Sequence, residues 1–265
     1  MSENIESKVS SLRITHPEPG IVSLALNRPT KKNALDRDLV LALGEALRQV
    51  AADPSVRVVL LTGVSGSFCS GADLSTIRNA SPEELDSRID EFHRMITGIV
   101  DAPQPVIAAV SGPAVGFGAD LALACDMRLF SQSAYLEEGF IKVGLMPDGG
   151  GTGWMPKMVG PRAFEMLALG TRLSASDCQG FGIANSVHPE TELTTASYEV
   201  AQRLAQSAPL ALRNIKRALR AGDRDGLSAT LEREKRGQTE LLGSSDFEEG
   251  VRAFLEKREA QFTGK

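Results

Sequence analysis

Only three cysteines occur in 265 residues, Cys69, Cys125 and Cys178, and none stands in C-x-x-C spacing. That argues against a disulfide framework and a structural zinc site and leaves the three as packing residues. Histidine is equally scarce: His16 and His188 each precede a proline and so belong to extended or turn segments, and only His93 falls in a helical pattern. No apolar run approaches the roughly 20 residues that span a bilayer, and the N-terminal MSENIESKVS has no basic-then-apolar organisation. No membrane association is expected, and the chain reads as cytoplasmic. A basic surplus is also missing, since 29 Lys and Arg stand against 34 Asp and Glu, a net charge of −5 with no basic stripe, so a nucleic-acid partner is not expected.

What is present is ordinary globular composition, 42% hydrophobic and 24% charged, in a chain long enough to bury a large core. Residues 21–26, 56–63, 105–110 and 127–130 are apolar runs bounded by turn residues, the pattern of buried strands. Asp36 precedes Leu39, Leu43, Leu47 and Val50 at helical spacing, and Ser81-Pro82-Glu83-Glu84 reads as a capping box opening a helix that runs to about residue 100. Pro161 and Gly170 bracket a further helix, and Ser174-x-x-Asp177 opens another. From about residue 195 the pattern is helical and charged, through 196–206, 210–221, 225–240 and 246–260. Strands alternating with helices predict an α/β core over residues 1–195, and the last 70 residues predict a separate helical region over 196–265.

Two segments carry more glycine than their neighbours need. GVSGSFCSGADL (63–74) and SGPAVGFGADLALACD (111–126) each follow a buried strand, and the second runs into a helix. Glycine there lets main-chain N–H groups approach a ligand, and a helix start adds unpaired donors. Taken alone, both segments also read as ordinary tight turns.

LNRPTKKNAL (26–35), FCSGADL (68–74), PVIAAVSGPAVGFGADLALACDMRL (105–129) and GLMPDGGG (144–151), in that order, resemble the crotonase, or enoyl-CoA hydratase/isomerase, superfamily from about residue 12 to the C-terminus. The pattern is most similar to members of the ring-1,2-epoxyphenylacetyl-CoA isomerase kind. The resemblance implies a ββα spiral core with a C-terminal helical trimerisation region, a homotrimer or a dimer of trimers, and an acyl-CoA thioester as substrate. It implies no permanently bound cofactor and no metal. Late residues such as Phe262 are then expected at a neighbouring subunit's CoA site.

Carried over position by position, the two N–H donors of the family's oxyanion hole fall on Ala72 and Phe117. Such donors stabilise the enolate formed from a thioester by about 3–4 kcal/mol each. The basic position near the phosphates falls on Lys31 and Lys32, with Ala34 beside them, and the adenine-binding stretch falls on Ser70, Asp73 and Leu74. Lysines in such a loop are also commonly just solvated.

The two glutamates of the family's hydratases fall on Asp120, one methylene shorter, and on Phe140, which carries no proton and is left as a pocket residue. Asp148, in PDGGG, matches the catalytic aspartate of the isomerases, and Phe140, Met146 and Trp154 are near enough in sequence to desolvate it. Asp148 also reads as a turn former before glycines, and Asp120 as a helix-start cap. His93 matches a histidine that works with this aspartate in relatives similar to 4-chlorobenzoyl-CoA dehalogenase, yet a histidine beside an apolar helix face is commonly structural. The leading expectation is an enoyl-CoA or ring-epoxyacyl-CoA isomerase. The alternatives are an enoyl-CoA hydratase, a dehalogenase-like hydrolase, and a non-catalytic acyl-CoA or RNA scaffold. Helix 82–100 and the loop before it are expected to set acyl specificity.

Overall fold

β1 (Leu12–Glu18) and β2 (Ile21–Leu26) form an antiparallel hairpin, and every later strand of the main sheet adds in parallel. Those strands are β3 (Val58–Gly63), β4 (Val106–Val110), β6 (Met127–Ser131) and β9 (Ser186–His188), in the order β1-β2-β3-β4-β6-β9. Between them β5 (Pro113–Val115), β7 (Tyr135–Glu137) and β8 (Arg172–Ser174) make a second, three-stranded sheet. The computed structural model describes residues 11–77 and 81–264. The N-terminal MSENIESKVS and part of the loop ahead of the 82–100 helix, both interpreted above, lie outside the described residues.

Parallel strands need both faces covered, and the alternation along β3 does this. Val58 and Leu60 face α7 (Leu193–Gln206) through Leu193 and Ala201, while Val59 and Leu61 belong to the larger core. That larger core packs against α1 (Arg37–Ala52), α2 (Pro82–Asp101) and α3 (Phe117–Ala124). α1 starts where expected: the Asp36 carboxylate accepts from Leu39 N at 2.9 Å, and Leu39, Leu43, Leu47 and Val50 form its buried stripe. The capping box at α2 is complete, with Glu84 N donating to Ser81 Oγ and Ser81 N to the Glu84 carboxylate. Then α4 (Gly151–Val159), α5 (Ala163–Leu169) and α6 (Ala175–Gly180) follow, with Gly170 closing α5 and a second capping box at Ser174 and Asp177.

The C-terminal region departs from expectation. The segments read as helices 210–221 and 225–240 are one helix, α8 (Pro209–Leu242), about 50 Å long, and α9 (Ser245–Glu256) ends before residue 260. Gly222 and Gly226 lie at the junction of the two expected segments, but α8 is anchored on both sides of them. Ahead of them, the buried Lys216 ammonium donates to Ile99 O and Gln104 O at 3.0 Å and pairs with Asp126 at 2.7 Å. Beyond them, Glu234 and Gln238 bond to the turn at 146–152. Tertiary contacts at both ends outweigh the roughly 1 kcal/mol that each glycine costs a helix.

All three cysteines are free and buried, as their sparse spacing implied, and burial pushes each thiol up to about 12. His16 and His188 lie in strands. Among the described residues, no helix is long and apolar enough to cross a membrane and no group of side chains is arranged to hold a metal.

Candidate active site

The segment 69–73 runs between two others. Cys69 N donates to Pro113 O and Cys69 O accepts from Val115 N, while on the opposite side Ser70 N donates to Lys32 O. A regular strand would continue this alternation. Gly71, at φ +94°, breaks it, so that Gly71 O accepts from Leu35 N at 2.8 Å and Asp73 N returns to Leu35 O at 2.9 Å. In a trans peptide the N–H points opposite to the preceding carbonyl, so the Ala72 N–H is turned away from Leu35. The packing at Gly71 is close: a Cβ at position 71 would lie 2.8 Å from Val115 O and 3.7 Å from Phe117 N.

The second bend turns at Gly116, φ +53°, and Phe117 is the first residue of α3, where an amide has no intrahelical acceptor. Gly118 lets α3 sit against the first bend, since a Cβ there would be 2.4 Å from Cys69 O. Neither Ala72 N nor Phe117 N has a hydrogen-bond acceptor among the described residues. The Phe117 ring is buried edge-on against Phe92, with centroids 4.3 Å apart. Two glycine-built bends therefore leave two unpaired donors, both on residues that line one cavity.

They open into a cavity of about 600 Å³, within the usual range for small-molecule sites. Ala72, Phe117, Phe140 and Asp148 line it, and so do all the residues matched to CoA binding: Lys31, Lys32, Ala34, Ser70, Asp73 and Leu74. The Asp73 side chain itself is committed to Arg28 and Ser75, so it faces the cavity as part of a tied loop. Met146 and Trp154 do not line the cavity; Trp154 packs over Gly150. The C-terminal helices contribute Gln238, Leu242, Phe254 and Leu255 of the same chain.

Asp120 and His93 also fall outside the cavity lining. Asp120 is fully buried behind the 146–152 turn, one oxygen accepting from Gly149 N at 3.1 Å and the other without a partner. His93 bonds to the main-chain carbonyl of Asp148 at 2.8 Å.

Three groups at the site were not read from the sequence. Glu138 is buried, with both carboxylate oxygens lacking a hydrogen-bond partner. Glu234 is buried and accepts from Gly150 N, Thr152 N and the Thr152 hydroxyl. Gln238 accepts from Met146 N at 3.1 Å and donates to Asp148 Oδ2 at 3.0 Å. Glu138 hid beside Glu137, which is tied to Lys142 and Arg172, and Glu234 and Gln238 hid on a charged helix. The usable signal was their i, i+4 spacing, which puts them on one face.

Burial drives the electrostatics. Asp148 is pushed up to about 7, first by desolvation and then by the Glu234 charge, with the Gln238 hydrogen bond pulling the other way. Desolvation, reinforced by neighbouring carboxylates, holds Asp120 and Glu138 well above the usual carboxylate range. Gly151 separates these two acids: a Cβ there would be 2.6 Å from Asp120 Oδ1 and 2.9 Å from Glu138 Oε1.

Comparison with known proteins bears on this arrangement. Residues 17–265 match the family model described as enoyl-CoA hydratase/isomerase. The chain is 36% identical over 258 residues to 1,2-epoxyphenylacetyl-CoA isomerase of Escherichia coli K12, covering 95% of this chain and 98% of that protein. It is 37% identical over 250 residues to a probable enoyl-CoA hydratase of Rhodobacter capsulatus, covering 93% and 95%. The crystal structure of an enoyl-CoA hydratase from Mycobacterium avium subsp. paratuberculosis K-10 superposes with a TM-score of 0.89 at 36% identity, over 96% of this chain and 99% of that one. The family model matches nearly the whole chain, and relatives of both names are more than 30% identical to it over more than nine-tenths of its length, so the chain belongs to the enoyl-CoA hydratase/isomerase family.

Proposed function

We propose that the protein is an acyl-CoA isomerase in which Asp148 moves a proton and the amides of Ala72 and Phe117 hold the thioester enolate oxygen. One observation carries this reading. Of the carboxylates that line the cavity, Asp73 is paired with Arg28, Glu91 with Arg37, and Glu137 with Lys142 and Arg172. Asp148 is different: its hydrogen-bond partner is the neutral amide of Gln238, and its Oδ1 has none.

The chemistry follows from the placement. Asp148 removes a proton from the carbon beside the thioester carbonyl, and the electron pair moves onto the carbonyl oxygen, toward the two amides. In a 3-enoyl thioester the dienolate then takes the proton back at C4, so the double bond moves and nothing is gained or lost. A base whose conjugate acid lies near 7 both accepts and returns a proton at neutral pH. A hydratase needs a second acid at the cavity wall. Phe140 supplies none, and Asp120 is behind the turn.

The rows of solvent-facing apolar side chains Leu210, Ile215 and Leu219 on α8 and Phe164 and Leu169 on α5 support self-association, as a trimer or a dimer of trimers. The function is tested by offering matched 2-enoyl, 3-enoyl and aryl thioesters in deuterated water. Isomerised product of unchanged skeleton with deuterium at the reacting carbons is expected. Gain of a water by the 2-enoyl substrate as the faster reaction overturns the isomerase reading in favour of a hydratase.

A further inference from the structure

We infer that Gln238, on the C-terminal helix α8, is the positioning residue for Asp148, fixing its carboxylate so that Oδ1 alone is left to take the proton. The inference rests on the reading of Asp148 as the base and goes beyond it by assigning a role to a residue 90 positions away.

The carboxamide of Gln238 is buried and bonded at both ends. Its Oε1 accepts from Met146 N at 3.1 Å, and its Nε2 donates to Asp148 Oδ2 at 3.0 Å. The first bond settles the second, because a carboxamide whose oxygen is held by a main-chain N–H presents its NH2 on the other side. One turn earlier on the same face, Glu234 takes Gly150 N and Thr152 N, so α8 grips the 146–152 turn on both sides of Asp148. The fit is close: a Cβ at Gly237 would lie 2.5 Å from Met146 Sδ, and one at Gly153 3.1 Å from Thr230.

The two prongs act on Asp148 in opposite senses. Gln238 donates a hydrogen bond to the ionised form and favours it, whereas the Glu234 charge disfavours it. Other titratable groups face the same turn. Asp120 comes from α3, Glu138 from the segment after β7, and His93 from α2, its ring bonded to the Asp148 carbonyl. None of these donates to the carboxylate, so Gln238 is its side-chain hydrogen-bond donor among the described residues.

The test is the pH dependence of kcat for 3-enoyl thioester isomerisation in the wild type, Gln238→Met and Glu234→Gln. Both variants loosen the turn, so both lose rate, but the acid limb should move up by about one pH unit in Gln238→Met and down in Glu234→Gln. Should Gln238→Met not fold, Gln238→Glu keeps an oxygen for Met146 N. It also places a second carboxylate against Asp148, and the proton the two share must leave before Asp148 acts, so the limb again moves up. A limb that stays at the wild-type position in whichever Gln238 variant folds overturns the inference and leaves Gln238 as packing. Failure of the underlying reading looks different: the wild type then has no acid limb near pH 7, and Asp148→Asn keeps its turnover.

Discussion

His93 meets Asp148 at the main chain. Its Nε2 lies 2.8 Å from the Asp148 carbonyl oxygen, while the carboxylate takes its hydrogen bond from Gln238. A carbonyl only accepts, so Nε2 carries the proton, and burial lowers the His93 pKa, which favours the neutral ring. The histidine supports the turn rather than charging the acid. His93→Gln, which keeps a donor, is therefore expected to retain kcat within about tenfold, and chlorobenzoyl thioesters should release no halide. Loss comparable to that of Asp148→Asn would return His93 to the reacting groups.

Removing the charge of Asp148 should separate activity from stability. Asp148→Asn still accepts from Gln238, so the turn should hold, and kcat for a 3-enoyl thioester should fall at least about a hundredfold with KM little changed. Wild-type kcat should itself decline as pH falls through about 7, where the carboxylate takes up its proton. Stability moves the other way. Between the ordinary value of 3.8 and the folded value of about 7 the folded chain keeps a proton that the unfolded chain has released. Stability is therefore lost as pH rises through that window, and the loss is complete above it. Asn has no such cost, so the variant's gain in Tm should be larger at pH 8 than at pH 5. A variant less stable than wild type at pH 8 would contradict the burial of this charge.

The backbone role of Phe117 can be told from its ring. Phe117 is fully packed, so Phe117→Ala would open a cavity and cost about 3–5 kcal/mol, confusing folding with catalysis. Phe117→Leu keeps most of the volume and all of the amide, whereas Phe117→Pro removes the N–H at a first helical position that tolerates proline. Leucine is expected to hold kcat within about tenfold, and proline to lose at least about a hundredfold, the worth of one donor. Similar rates for the two folded variants would place the importance in the ring.

Much of the fold was legible because it is local. Buried strands announce themselves as apolar runs, and Asp36, Ser81 and Ser174 start helices by bonding to amides three residues on. The two bends were legible for the same reason: each needs glycine at a particular turn. Glu234 and Gln238 were not, because their partners are remote. Glu234 reaches back 84 residues to Gly150 and Gln238 reaches back 92 to Met146, and no spacing rule joins them. Glu138 differs from the adjacent Glu137 only in which side of the chain it leaves, a matter settled by Lys142 and Arg172 binding the latter. The continuity of α8 failed for a related reason, since the anchors that hold it through Gly222 and Gly226 lie on other elements.

Gly71 decides whether the site has one donor or two. Its φ of +94° turns the 71–72 peptide so that the carbonyl meets Leu35 and the Ala72 N–H points away from it. Alanine resists that dihedral, and its Cβ would stand 2.8 Å from Val115 O, a main-chain atom that cannot swing aside. The peptide must rotate or the two bends must part, and either removes Ala72 N from its place. Gly66, in the same loop at φ +67°, faces open space: a Cβ there would meet nothing within 4 Å, so Gly66→Ala carries only the backbone strain of about 1–2 kcal/mol. Gly71→Ala is therefore expected to lose kcat by about a hundredfold or more, and Gly66→Ala to stay within a few fold, each measured on folded protein. Equal activity in the two folded variants would mean that the turned peptide does not serve the chemistry, and the enolate would need another source of stabilisation.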